Sequence, residues 1–344
     1  MFSSMKFLLK YCLILCFAVL SFTNCNKKAF EKNEYAQLLN EHPATDSRNY
    51  PTQTGNWTTR AVNIDSTRIS FTKRVNEIDG FAEIPTGSTS MEGMRAKLEA
   101  ISKTFHPKVK DLFDKYLFAI YFCEKLGGTG ISGFVYDNQK NKPVGGFIII
   151  DSSVIHKKAN DWITYKERSA FQLGDISLQI QIENESENTI DNALRYILLH
   201  EMGHIISNTL GISPDLRIAT PDYKEYPFFN EIWISEKESK YDAKAFPFRS
   251  KVKFYSSDSS ALKLDLVWDQ VYPILNKTRF TTLYAATNAL DDFAEAFVSY
   301  IHCILDNRPW ELTLSKQGKV IYKMKNRIHE LEREQEFLRR NVFK

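Results

Sequence analysis

Apolar positions along the chain recur with two different periods, and the switches between them mark the elements. Ile190, Leu194, Ile197, Leu198, Ile205 and Ile206 return at helical spacing, with Asn188 and Thr189 ahead of them as capping residues and Gly211 behind as a stop. This predicts a buried helix. Met94, Leu98 and Ile101 predict another over 91–105, and a further helix follows Pro107 over 109–115. Then the period shortens. Residues 116–123 are apolar, Gly127-Gly128 turns the chain, 131–136 alternate, a second turn follows, and 146–150 are β-rich. Residues 176–182 alternate Ile, Leu, Ile, Ile with polar residues, as a half-buried strand does, and 68–71 suggest one more strand. Past residue 211 the pattern predicts helices at 230–245, 261–275, 291–304 and 316–340. Together these predict an α+β fold. A small, mostly antiparallel sheet packs on the 190–206 helix, and a mainly helical C-terminal subdomain follows. No internal repeat or low-complexity run interrupts this order.

Composition narrows the class of function. Of 344 residues, 45 are Lys or Arg and 42 Asp or Glu, a net charge of +3. Lys6 and Lys10 account for two of these charges, so the chain from Cys25 onward carries 3 − 2 = +1. That balance gives no argument for nucleic acid or an acidic membrane surface as partner. The same two lysines precede an apolar run over 11–22, too short for a comfortable membrane span. It ends at Phe22-Thr23-Asn24-Cys25. The segment resembles a bacterial lipoprotein signal, which implies removal of 1–24 and lipidation of Cys25. An ordinary cleaved signal peptide and an uncleaved anchor are the other readings of such a stretch. Residues 25–90, broken by Pro51, Gly55, Pro85 and Gly87, suggest a tether and an irregular N-terminal segment. Cys123 and Cys303 lie in apolar contexts and are expected as buried free thiols.

The chemistry centres on His200-Glu201-Met202-Gly203-His204. Two histidines four apart share one face of a helix and can grip one zinc ion, with Glu201 carried toward a metal-bound water. Unsatisfied imidazoles would be costly inside so apolar a helix. Gly203 opens room beside the metal or lets another backbone approach. A catalytic zinc takes three protein ligands and a water, so one is still missing. The metzincin pattern is excluded, because Ser207 and Leu210 stand where it needs Gly and His. Asp291 and Glu295, one turn apart, are the remaining acids. One binds the metal and the other accepts the free N–H of a ligating histidine. The alternating segment at 176–182 is either a candidate edge strand for pairing with an extended substrate or a plain structural strand.

At these residues the chain resembles gluzincin-like peptidases of the lethal-factor type, whose downstream motif has the form Tyr…Asn…Glu-Phe-Phe-Ala-Glu-Ala-Phe. Here the sequence reads Tyr284…Asn288…Asp291-Asp292-Phe293-Ala294-Glu295-Ala296-Phe297. The resemblance implies that Asp291 is the third zinc ligand, that Glu295 lies behind a histidine, and that Tyr284 faces the reacting carbonyl. Asp at 291 departs from the family's Glu, which leaves Glu295 as the alternative ligand. As a whole, the chain resembles zinc metallohydrolase lipoproteins of Bacteroidetes-type bacteria that accompany TonB-dependent importers. That implies residues 91–344 as a zinc metallopeptidase-like domain, lipid-anchored in the cell envelope beside an importer system. The expected activity is cleavage of peptide bonds by a zinc-activated water with Glu201 as general base. A noncatalytic nutrient-binding lipoprotein and a hydrolase of non-peptide amides are the alternatives.

Overall fold

The computed structural model describes residues 33–139, 141–255 and 261–344; the expected signal segment and Cys25 lie outside the described residues. The described chain opens with helix α1 (Glu34–Glu41), strand β1 (Ala61–Asn63) and helix α2 (Ser66–Asp79). α2 takes the place of the strand expected at 68–71. Asp65 caps it by accepting from the Arg68 N–H, and Gly80, at φ 82°, closes it in the left-handed conformation. Its period is hard to see in the sequence because Arg68, Thr72 and Asn76 are buried beside Phe71 and Val75.

Strand β2 (Thr86–Gly87) and helices α3 (Met94–Lys103) and α4 (Pro107–Tyr116) lead into β3 (Leu117–Glu124), β4 (Gly130–Asp137) and β5 (Lys142–Asp151). The main sheet has the order β1-β3-β5-β4, with β2 beside β3. β1, β3 and β5 are parallel, whereas β2 and the outer strand β4 run antiparallel to their neighbours. The sheet is therefore mixed, and the antiparallel expectation holds at its margins. Burial on both faces explains the parallel centre. Ile120, Phe122, Ile148 and Ile150 face one core, while Tyr121, Phe147 and Ile149 face a second one with Phe71 and Val75 of α2. The N-terminal segment, expected to be irregular, supplies the layer over that second face.

Helix α5 (Ala159–Arg168), short β6 (Phe171–Gln172) and β7 (Ile176–Gln181) precede helix α6 (Ile190–Thr209). α6 packs across β4 and β5, and it has the expected caps: Thr189 accepts from the Asn192 N–H, and Gly211 adopts φ 65°. Leu198, Leu199, Met202, Ile205 and Ile206 are fully buried. Each such side chain contributes about 1.5–3 kcal/mol, so the helix that carries the histidines is firmly seated.

Beyond α6 come β8 (Leu262–Lys263), α7 (Leu264–Leu275) and α8 (Ala289–Ser299), which runs on as a π-helical turn over Tyr300–Leu305. Among the described residues one expected helix, at 230–245, does not form, and another, at 316–340, forms only in its last part. Over 230–245 the chain forms successive turns, because Ser239 bonds the Ile232 carbonyl and Asp242 accepts from the Ser239 N–H, offering the backbone local partners in place of a helix. Over 316–340 the chain forms a hairpin, β9 (Glu311–Lys316) with β10 (Lys319–Lys325), and only then α9 (Glu332–Asn341). Gln317 and Gly318, at φ 50° and 76°, make the two-residue turn. β7 joins this hairpin in a second sheet of order β10-β9-β7. Leu312, Leu314 and Met324 of the hairpin share one core with α6 and α8. The α+β expectation holds, with helices dominating the C-terminal region. Among the described residues no helix is long and apolar enough to cross a membrane.

Candidate metal centre

Gly203 sets the approach of the two helices that build the site. A Cβ placed on it would lie 2.8 Å from Cα of Ala294 in α8. No other residue lets α6 and α8 cross so closely. The crossing brings the first turn of α8 against the two histidines. Asn288 caps α8 by accepting from the Asp291 N–H, and its Nδ2 donates to Asp291 Oδ2 at 2.6 Å. Thr287 Oγ1 donates to the same oxygen at 3.1 Å. Oδ1 is left facing the histidines.

His200 Nε2 and His204 Nε2 are 3.2 Å apart, and Asp291 Oδ1 lies 3.5 Å from the first and 3.4 Å from the second. Zinc–ligand bonds of about 2.0–2.1 Å at tetrahedral angles separate the ligand atoms by roughly 3.3–3.4 Å. The three donors thus outline one face of a zinc tetrahedron, and two imidazoles with one carboxylate are a donor set suited to that ion. Asp291, though shorter than Glu, brings Oδ1 within 3.5 Å of both Nε2 atoms.

Glu295 stands behind His200. Its Oε1 is 3.0 Å from His200 Nδ1, within ion-pair distance though oblique for a well-directed hydrogen bond. The same oxygen accepts from Lys166 Nζ at 3.0 Å, and Oε2 accepts from Thr282 Oγ1 at 2.7 Å. Both oxygens are therefore taken up away from the Nε2 pair. Burial alone would raise Glu295, but Lys166 and His200 more than reverse it and bring it to about 2. Burial likewise opposes an imidazolium at His200, and Asp291 and Glu295 outweigh it, lifting the ring to about 9.

The site opens into a cleft of about 370 Å³. Glu201 lines it, and Gly130, at the start of β4, leaves room for the carboxylate: a Cβ there would meet Glu201 Oε1 at 3.3 Å. Tyr284 lines the same cleft, its ring 5.5 Å from that of His200 and edge-on to Phe254 at 4.8 Å. Burial and then Asp291 push its phenol well above the ordinary range, so it stays a proton donor.

The edge strand expected at 176–182 is not at the cleft. β7 is an edge strand, but α5 covers it: Thr164 Oγ1 bonds the Ile180 N–H and C=O, and Arg168 Nε donates to the Leu178 carbonyl. β4 instead borders the cleft through Gly130 and Ile131. Lys166 and Tyr255 also line the cleft and were missed. Lys166 stands in the charged run Lys166-Glu167-Arg168, in a stretch where the apolar pattern marks no element, and nothing in the sequence signals its burial. Tyr255 adopts φ 56°, a left-handed position rare for an aromatic residue and held by the Ser169 hydroxyl accepting from its N–H. Cys123 and Cys303 are buried free thiols, as expected. Comparison with protein-family models, curated proteins and solved structures finds no match for this chain.

Proposed function

We propose that this chain is a zinc-dependent hydrolase that cleaves peptide or related amide bonds. One observation carries the reading: His200, His204 and Asp291, from two crossing helices, present three donor atoms at tetrahedral spacing, at a cleft that His200, Asp291 and Glu201 line. Those three residues would hold the ion. Zinc, when bound, lowers the pKa of its water and polarises a scissile carbonyl. Glu201 takes the proton of the attacking water and passes it to the leaving amine. Tyr284 donates to the oxyanion that develops. Glu295 keeps the His200 ring oriented. The rim from Gly130 to Ile131 offers β4 backbone to an extended substrate.

The N-terminal reading extends the proposal to place: a protein lipidated at Cys25, in a bacterial cell envelope, serving a TonB-dependent importer. Cys25→Ala should release it into the detergent-free soluble fraction, and unchanged membrane association would reject the lipid anchor.

The central test uses protein lacking residues 1–25. Elemental analysis should find about one zinc per chain, the load of a single three-ligand site. A mixed peptide library should be cleaved, and Glu201→Gln should stop cleavage while retaining zinc. Loss of neither zinc in His204→Ala nor cleavage in Glu201→Gln would reject the assignment. One zinc per chain with no cleavage that depends on Glu201 would reject peptide hydrolysis alone.

A further inference from the structure

Lys166 lies in a charged helix end, yet its side chain is only 6% exposed. A buried ammonium costs several kcal/mol in lost hydration unless its surroundings compensate, so its neighbours define what it does. Nζ donates to Glu295 Oε1, the oxygen 3.0 Å from His200 Nδ1. Nζ also stands 3.6 Å from the centroid of the Tyr284 ring. The other Glu295 oxygen accepts from Thr282, whose Oγ1 in turn accepts from the Ala285 N–H. The turn that carries Tyr284 is thereby tied to the same carboxylate. The Tyr284 ring also packs T-shaped against Phe254.

We propose that Lys166 is a positioning residue of the metal centre, clamping the Tyr284 ring by a cation–π contact while it fixes the carboxylate behind His200. A desolvated ammonium over the ring is a strong contact of this kind. By drawing electron density from the ring it also makes the phenol a better hydrogen-bond donor. One ammonium thus couples the acid that orients a metal ligand to the phenol that faces the substrate. A plain structural ion pair would touch Glu295 and leave the phenol's contribution independent of Lys166. The catalytic consequence rests on the hydrolase reading; the clamp itself does not.

The test measures kcat, KM and zinc content for Lys166→Met, alone and combined with Tyr284→Phe, in the mature zinc-loaded protein. Lys166→Gln, a neutral donor to Glu295, serves as a second variant should the methionine fail to fold. Either substitution should keep about one zinc and lower kcat about tenfold, less than the 10²–10³ for outright loss of an oxyanion donor. KM should stay within about twofold. In the Tyr284→Phe background the same substitution should cost several-fold less, because only the hold on Glu295 is then lost. Independently, 3-fluorotyrosine at position 284 should give a fluorine resonance that shifts when Lys166 is replaced. An equal loss of kcat in both backgrounds, or an unmoved resonance, overturns the proposal. If the parent cleaves nothing that Glu201→Gln does not, the hydrolase reading fails, and the fluorine shift still decides the clamp.

Discussion

Asp291 and Glu295 carry the same charge one turn apart on α8, yet their four oxygens meet different neighbours. Asp291 spends Oδ2 on Asn288 and Thr287 and turns Oδ1 to the two Nε2 atoms. Glu295 spends both oxygens on Lys166, Thr282 and the back of His200. On the proposed zinc reading, this division would make Asp291 the ligand and Glu295 the acid behind His200. Asp291→Ala should abolish tight zinc binding, measured by competition with a chelating dye. Glu295→Gln should weaken it by roughly 10–100-fold, the usual consequence of losing the group that orients a ligand. Glutamine is preferred to alanine at 295 because truncation would also strand the buried Lys166 cation, a loss of about 3–5 kcal/mol that would confound the measurement. The reverse order of the two affinities would exchange the roles.

The helix crossing decides whether those side chains meet at all. Alanine at 203 would gain about 1 kcal/mol of helix propensity over glycine. Its Cβ would lie 2.8 Å from the Ala294 Cα, a backbone atom that cannot swing aside. Overpacking of that kind costs about 1–3 kcal/mol, so the steric term should win. Gly203→Ala should therefore melt at lower temperature and bind zinc more weakly, because α8 moves off and carries Asp291 with it. Unchanged melting and unchanged affinity would show that the helices are not so closely apposed. This crossing also bounds what the sequence revealed. The apolar period of 190–206 and the helix from Asp291 were legible, since both helices bury regular stripes, and Gly203 announced a close backbone approach. α2 was not, because Arg68, Thr72 and Asn76 are buried on its inner face and break the period. The hairpin after Glu311 was misread because Ile321, Met324 and Ile328 fit a helical stripe, and only Gly318 signalled the turn. The choice between β7 and β4 as the edge at the cleft depended on what α5 covers. That is a tertiary fact with no local signature.

For the whole molecule, stability against acid depends on groups the fold holds in one protonation state. Glu167, fully enclosed, is pushed by burial up to about 7 even though Tyr272 donates to it at 2.9 Å. Below its unfolded value of 4.5 it exacts no penalty. Stability falls as pH rises from there toward 7, because the unfolded chain releases its proton first. His302, fully buried on the π-helical turn, acts the opposite way. Burial, and then the Arg195 guanidinium, lower it to about 3. Its Nε2–H faces the carbonyls of Ile182 and Pro309 at 2.8 and 3.1 Å, and Nδ1 turns to Arg195 Nη1 at 3.5 Å. The other charges nearby are paired, Arg195 with Asp306 and Arg308 with Glu183, and the Tyr196 ring packs edge-on at 5.2 Å. As pH falls below 6.5, the unfolded chain protonates its histidine while the fold refuses the proton. Stability is lost through that window, down to about 3. Each proton taken up only by the unfolded chain changes the slope by about 1.4 kcal/mol per pH unit. His302→Gln keeps an N–H for the two carbonyls and removes the titration. Between pH 4 and 6, urea unfolding of the parent should therefore lose stability more steeply than that of the variant, by close to this amount, while Glu167 contributes equally to both. Parallel slopes would mean that His302 takes up its proton within the folded protein, and that the contact with Arg195 is not held.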